Sequence, residues 1–470
     1  MVLEEIAGLI GGAHVLSRDE LAGRPRDFWT KEPTRARALV RPGNVAEVSR
    51  VLALCNARGQ KVIPEGGRTN LVQGTQAAGD EILLSLERLN GIADPDARSA
   101  TVMAEAGATI QRIQERAEVA GLRFGLDFGA RGSASLGGAL AMNAGGLQAL
   151  RYGTARSQVA GLEAVLSDGT VVSHLTPFTK DNTGYDLKQF FIGSEGTLGV
   201  ITRAVLHLHP LPAGADTALL AFDDFGAAAA LLGALRAQLA GTLSSFEIMW
   251  GEFFDFNTGE QGVGTAPLAR GHAYYVICEA EGFDPSFDRQ RFETLIASAF
   301  ERGGARDAVV AQSERERREI WNIRENFDAE IRLFGTLVDY DLSLPIDAME
   351  SFAEAVRREL QAKAPQNRGL HIMGHLGDGN LHLTTGVPDP EMKPLIDELV
   401  YGLIAAHGGA ISAEHGIGIT KKRFLRHSRS PEELALMRRL KTTLDPANIL
   451  NPGKVIDVTG PVTLEGRVAQ

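Results

Sequence analysis

The sequence predicts an α+β protein of two domains, on three observations. The chain has 470 residues, about three times the ~150 typical of one domain. Helix and strand signals mix in both halves, and their style changes around Pro210 and Pro212. Glycine is abundant, with 53 residues against a usual share of about 7%, and it gathers in three loops of the first half. Apolar residues at 44% and charged residues at 23% are ordinary for a globular chain. The net charge of -11 argues against a nucleic-acid partner. An anionic substrate would then need local Arg, Lys, metal or backbone donors. Two cysteines, Cys55 and Cys278, exclude a disulfide scaffold, a four-cysteine zinc site and a four-cysteine iron–sulfur cluster on this chain. Two buried thiols in a reduced compartment are expected rather than one bridge. No apolar run reaches the ~18 residues of a membrane span. The stretch from Met1 to Gly11 carries Glu4 and Glu5 and no basic n-region. A cytoplasmic location is expected.

The elements follow in order. Residues 1–34 read as a helical arm, with Ile6, Leu9 and Ile10 at helical spacing. Val45 to Arg58 is an amphipathic helix ended by Gly59, and a short strand over 61–64 runs into a glycine-rich loop. Strands are predicted at 82–86 and 101–105, and a helix at 109–120 stopped by Gly121. Further strands fall at 159–166 and 200–207. Beyond the proline pair, helical patterns lie near 225–239, 287–302, 313–333 and 347–362, with strand-like runs at 273–279, 336–344 and 369–375. A last helix starts at 431 and leads to Asp445-Pro446-Ala447-Asn448-Ile449-Leu450-Asn451-Pro452-Gly453-Lys454. These signals divide the chain into the arm at 1–34, a first domain at 35–213, a second at 214–425 and a C-terminal segment at 426–470. No internal repeat or low-complexity linker is present.

The three loops carry the first functional signal. They are Pro64-Glu65-Gly66-Gly67-Arg68-Thr69-Asn70, the run from Gly129 through Ser133 to Gly137-Gly138 with its sequel Asn143-Ala144-Gly145-Gly146, and Gly193-Ser194-Glu195-Gly196-Thr197-Leu198-Gly199. Glycine lets backbone approach a ligand closely, and successive N–H groups can cradle phosphate oxygens. One such loop is usually only a turn; three on one domain, each near a strand, point to a dinucleotide. The pattern is neither a Rossmann fingerprint nor a Walker A motif, so NAD and ATP are not called for.

PEGGRTNLVQG, GARGSASLGGALAMNAGG and DNTGYDLKQFFIGSEGTLGVIT resemble the FAD domain of the vanillyl-alcohol oxidase, or PCMH-type, flavoproteins. The second half is similar to the FAD-linked oxidase C-terminal domain. The branch resembled most is that of D-2-hydroxyglutarate, D-lactate and glycolate dehydrogenases, over about residues 35–455. The resemblance implies a two-subdomain PCMH-type FAD-binding domain and an α+β substrate (cap) domain, an antiparallel sheet flanked by helices. It implies that Pro64, Gly66, Gly67, Arg68, Thr69, Asn70, Ser133, Gly137 and Gly138 bind the FAD diphosphate side. Asn143, Gly145, Gly196, Val200 and Ile201 would contact flavin or adenosine, and Asn451 would return to it. Some relatives link FAD covalently through a His of the first loop. No His lies between His14 and His174, so non-covalent FAD is expected.

His375-Leu376-Gly377-Asp378-Gly379-Asn380-Leu381-His382 is the chemical centre of the second half. A spacing of seven puts the two His on opposite faces of a straight strand. The Gly-Asp-Gly-Asn insert is turn chemistry, so the strand can fold back and bring both rings together, with Asp378 ordering the turn. Ser412-Ala413-Glu414-His415-Gly416-Ile417-Gly418 follows later. Two His and one carboxylate suit a divalent ion with open positions. The competing reading makes His375 and His382 half-buried strand histidines with backbone partners; HLGDGNLH and EHGIG together in one chain favour the metal. The resemblance implies His375, His382 and Glu414 as ligands and His415 as the catalytic base. Zinc is the first choice, and manganese or iron stay open.

Trp321-Asn322-Ile323-Arg324-Glu325-Asn326 matches the helix whose Arg binds the substrate carboxylate in the family. Arg suits that role by its bidentate fork. The alternative is a helix-surface Arg paired with Glu319, Glu325 or Asp328. The hydroxyglutarate enzymes place a Thr four residues after this Arg and a Lys just before Tyr340-Asp341-Leu342-Ser343-Leu344-Pro345; this chain has Asp328 and Asp339 there, and Thr384 where Asn is expected. Like charges at ~4 Å cost on the order of a few kcal/mol. A neutral or cationic substrate tail is therefore expected, unless either Asp pairs with Arg324 or Arg332. The resulting expectation is an FAD- and divalent-metal-dependent D-2-hydroxyacid dehydrogenase. Its acceptor would be an electron-transferring flavoprotein or a quinone, and a homodimer is the default assembly. The rivals are a PCMH-type oxidase or reductase of other substrates, and a catalytically silent FAD-bearing electron-transfer subunit.

Overall fold

A computed structural model of the chain describes residues 2–27, 32–239 and 241–458. These residues form two compact units. The first takes 2–146, 153–211 and 414–458; the second takes Leu147–Tyr152 and Pro212–Ala413.

In the first unit, the strands Val15–Ser17, Ala38–Val40, Ile82–Ser85 and Val62–Glu65 lie in that order in one sheet. The first pair is antiparallel and the others are parallel. The helix Val45–Arg58 makes the crossover that parallel strands require. Its bounds were legible because its ends are chemical: Asn44 accepts the Glu47 N–H, and Gly59 takes φ +63°. Val48, Val51, Leu52 and Cys55 bury its inner face on this sheet, together with Ile6 and Ile10 of the helix Val2–Ile10. The N-terminal region is thus not helical throughout. Val15–Ser17 is a strand, because Val15 and Leu16 pair with the edge of the sheet. A second, antiparallel sheet runs Thr101–Glu105, Val200–His207, Val159–Val165, Val171–His174. It shares a core with the helices Ile110–Val119 and Leu136–Met142.

The C-terminal helix Pro431–Leu444 opens with a Ser430/Glu433 capping box. The chain then joins the edge of the first sheet: Val62 N–H donates to Ile449 O at 2.7 Å and Asn451 N–H to Val62 O at 2.8 Å. Lys441 anchors this return from inside. Its Nζ reaches Asp445 Oδ2, Thr197 O at 2.9 Å and Leu450 O at 2.7 Å, and Asp445 also accepts the Ile449 and Leu450 N–H groups. Asp445→Ala strands a buried ammonium, so the urea midpoint falls by the equivalent of about 3–5 kcal/mol. An unchanged midpoint would remove this pair as an anchor.

The second unit is built on a seven-stranded antiparallel sheet, in the order Asp307–Val310, Gly214–Phe222, Tyr274–Gly282, Leu243–Trp250, Leu370–Gly374, Asn380–Val387, Thr336–Ser343. Every residue of Tyr274–Gly282 and Leu243–Trp250 is buried. A strand covered on both faces loses the alternation that betrays strands, which is why Leu243–Trp250 has no sequence signature. Gly214–Phe222 and the helix Lys393–Ala406 also escape the sequence reading. The long pattern at 313–333 is two helices, Glu314–Glu325 and Phe327–Phe334, broken at Asn326 with ψ 69°.

The return to the first unit falls at Glu414, upstream of the expected boundary at 425. The physical reason is a clamp: the Ile417 and Gly418 N–H groups donate to the Glu195 carboxylate at 2.7 and 2.8 Å. Leu147–Tyr152 departs from the expected first domain because its bonds run to the large sheet. Ser245 Oγ donates to Leu147 O, while Gln148, Arg151 and Tyr152 all meet the buried carboxylate of Glu281. No helix among the described residues is long and apolar enough to cross a membrane. Cys55 and Cys278 are both buried and free, and burial pushes the Cys55 thiol up to about 12.

Candidate functional site: a glycine-loop cradle and a histidine–carboxylate cluster

The three glycine-rich loops come together in the first unit at the end of Val62–Glu65. A Cβ on Gly67 would lie 2.0 Å from Ser133 O, and one on Gly66 2.3 Å from Ser135 Oγ and 3.5 Å from Gly138. A Cβ on Gly137 would meet Ala106 at 2.7 Å. The first two loops therefore pack backbone against backbone, at a distance only glycine permits. The third loop closes on the same strand end, since a Cβ on Gly196 would sit 3.1 Å from Pro64. Its Glu195 donates its N–H to Ala141 O at 2.8 Å and accepts Asn451 Nδ2 on its backbone oxygen at 2.8 Å. Arg68, Asn143, Glu195 and Asn451 all take positive φ, costs that cluster where backbone is shaped for a ligand.

Some expected contacts are occupied by the fold itself. Asn143 Oδ1 accepts from Thr154 Oγ1 and Arg156 N. Asn70 closes its own turn with Gly74 and Thr75. Thr69 leads into that turn from the cradle. Val200 and Ile201 are buried at the start of their strand, opposite Val165 and Ala164. Glu414 lies against Gly145, whose Cβ would come within 2.5 Å of Oε1. Next in the chain are His415 and Gly416 (φ +80°), held by the Glu195 clamp. Burial pushes the Glu195 carboxyl up, against the pull of the Ile417 and Gly418 N–H groups.

In the second unit, Leu370–Gly374 and Asn380–Val387 form a hairpin whose turn holds Gly379 at φ +84°. Asp378 orders the turn by accepting the Asn380 N–H at 3.2 Å. The His375 and His382 rings meet edge to face with centroids 5.5 Å apart, and a ring nitrogen of one lies within 4.8 Å of one of the other. Asp341 stands opposite His382 on the neighbouring strand. It is fully buried and accepts from Asn380 Nδ2 at 3.0 Å, Ser412 Oγ at 3.1 Å and Ala413 N at 3.2 Å.

Arg324 is 3% exposed, so it is not the surface arginine of the alternative reading, although Glu325 does pair with it at 2.6 Å. Its Nε donates to Glu247 Oε2 at 2.7 Å, and its Nη2 lies 3.2 Å from His375 Nε2. Burial works against the Glu247 charge, yet His375 and Arg324 outweigh it and hold the carboxyl below its usual range. Burial likewise opposes the Arg324 charge, and Glu247 with Glu325 keeps its pKa above the ordinary value. Thr384 is buried and donates towards Asp339 at 3.5 Å across the strand pair. Asp339 is exposed. Asp328 is a position of Phe327–Phe334, and its side chain lies outside the described residues. The sequence reading missed Glu247 and the clamping role of Glu195. A lone acid inside LSSFEIMW was the available signal for the first.

A mixed sheet and an antiparallel sheet bearing three glycine loops, followed by a large antiparallel sheet with a histidine hairpin, define a two-domain FAD-linked oxidase. Residues 36–174 match the FAD binding domain and residues 211–455 the FAD linked oxidases, C-terminal domain; the chain belongs to this family of oxidoreductases. It is 36% identical over 456 residues to the mitochondrial D-2-hydroxyglutarate dehydrogenase of Bos taurus, covering 97% of this chain and 83% of that protein. It is 34% identical over 443 residues to the putative mitochondrial D-lactate dehydrogenase C713.03 of Schizosaccharomyces pombe, covering 92% and 84%. Among solved structures, substrate-bound p-cresol methylhydroxylase superposes with a TM-score of 0.73 at 17% identity, covering 98% of this chain and 97% of that one. That likeness shows the shared PCMH-type fold.

The residues present fit FAD. The cradle of Gly66, Gly67, Ser133 and Gly138 excludes side chains, and Asn451 Oδ1 is buried without a partner beside it, an orphan acceptor that a ligand N–H or O–H would satisfy. The donor set also fits a divalent ion, with two imidazoles converging in one hairpin.

Proposed function

We propose that this chain is an FAD- and divalent-metal-dependent D-2-hydroxyacid dehydrogenase. The observation that carries the reading is the convergence of His375 and His382. Close by in the same unit, Ser412 and Ala413 are tied to Asp341, immediately before Glu414 and His415 in the chain. The D-2-hydroxyglutarate and D-lactate dehydrogenase names of its relatives point to the same substrate class. His375, His382 and Glu414 would hold the ion, zinc by preference for N/N/O donors. When bound, the ion lowers the pKa of the C2 hydroxyl and FAD accepts the hydride. Neutral His415 takes the hydroxyl proton on a ring nitrogen. Arg324 orients the C1 carboxylate. The product is the 2-oxo acid.

Within this class, Asp339 favours a neutral or cationic tail over a carboxylate. It lies one side-chain row along the strand from Asp341, the residue opposite His382, a step of about 7 Å. Anaerobic mixing of the FAD-loaded protein with D-2-hydroxyglutarate, D-malate, D-lactate and a basic D-2-hydroxy acid tests both statements through bleaching of the flavin band. Fast bleaching by any of them supports the dehydrogenase, and selective failure of the dicarboxylates supports the tail assignment. No bleaching, with FAD bound but no divalent ion found by elemental analysis, would leave the silent electron-transfer subunit.

A further inference from the structure

We propose that Glu247 is the positioning residue of the histidine cluster: it fixes the tautomer of His375 and the seat of Arg324. The inference deepens the metal reading above and rests on it for its functional meaning. Glu247 lies in the middle of Leu243–Trp250, in a run of otherwise apolar or small residues, and is 1% exposed. Antiparallel pairing of Ile248 with Gly374 places it beside His375. Its Oε1 lies 2.8 Å and its Oε2 2.7 Å from His375 Nδ1, and Oε2 also accepts Arg324 Nε at 2.7 Å.

The donor logic leaves one arrangement. A carboxylate only accepts, so Nδ1 of His375 carries the hydrogen. In the neutral ring Nε2 then carries the lone pair; Arg324 Nη2 lies 3.2 Å from Nε2 and 3.4 Å from Nδ1, against the ring, and does not choose between them. Glu247 thus selects the tautomer that offers Nε2 as a metal ligand. A buried carboxylate is expensive unless every lone pair is used; here one group orders two functional side chains. Metal-ligating histidines commonly depend on such a partner, whose loss weakens metal binding roughly 10–100-fold.

The test uses the full chain with FAD bound, in an Arg324→Met background so that no buried cation is left stranded. Glu247→Gln in that background keeps an acceptor for Nδ1–H, whereas Glu247→Leu removes it. Zinc affinity is read by competition with a chromogenic chelator. The His375 tautomer is read from ¹⁵N shifts of histidine-labelled, metal-free protein. The expected result is that the Gln variant stays within a few-fold of the Arg324→Met parent and retains the Nδ1–H pattern. The Leu variant loses roughly 10–100-fold in zinc affinity and shows mixed tautomers. Equal zinc affinity and an unchanged Nδ1–H pattern in a folded, yellow Leu variant would overturn the proposal. If the parent binds no zinc, the metal reading fails by itself, and the ¹⁵N comparison still decides whether Glu247 sets the tautomer.

Discussion

Replacing His415 by alanine leaves FAD and metal in place and slows flavin reduction by the hydroxy acid by about 10²–10⁴-fold, the usual worth of a positioned general base. The loop around His415 is held by backbone, through the Glu195 carboxylate on the Ile417 and Gly418 N–H groups and through Gly416 at φ +80°. Neither restraint uses the imidazole. Anaerobic stopped-flow reduction with elemental analysis of the same sample checks it. An unchanged reduction rate removes His415 as the base, and loss of the ion makes it a ligand instead. A Glu414→Ala control should show the complementary result, a lost ion with FAD retained.

The second large effect belongs to the cradle. Gly67→Ala places a methyl 2.0 Å from Ser133 O and 2.9 Å from Ala134 Cα, both backbone atoms that cannot rotate away. The two loops must separate, and overpacking of this kind costs about 1–3 kcal/mol. FAD affinity should fall roughly 5–150-fold, seen as a pale purified protein that regains colour only at high added FAD. Gly129→Ala is the matched control in the same region, because nothing lies within 4 Å of its Cβ. Equal FAD retention in both variants would show that the Gly67–Ser133 approach is not part of the binding site.

What the sequence made legible was local. Asn44 and Gly59 mark both ends of one helix, and Gly-Asp-Gly-Asn marks the turn that converges two histidines. The three loops are visible as glycine clusters whose meeting follows from strands that end beside one another. What stayed hidden depends on long-range pairing. Leu243–Trp250 is buried on both faces and shows no alternation, so Glu247 reads as a stray acid until the sheet order sets it beside His375. The Glu195 clamp joins residues 222 and 223 positions apart. The break at Asn326 is a one-residue event inside a continuous helical pattern. Arg324 stood out in its helix, but its burial against Glu247 was not legible, because its partner is 77 positions away.

The excursion of Leu147–Tyr152 into the second unit has a consequence for how the protein is made and recombined. Glu281, the carboxylate that Gln148, Arg151 and Tyr152 satisfy, leaves the ribosome 129 residues after Tyr152, a wait of roughly 6–26 s at ordinary synthesis rates. For that interval Gln148, Arg151 and Tyr152 lack this partner; the segment is bounded by Gly146 and Gly153, both at positive φ. The two units therefore cannot be inherited as simple consecutive blocks. In this chain the six residues at 147–152 belong with 212–413, because replacing them removes Gln148, Arg151 and Tyr152 from the buried Glu281 carboxylate.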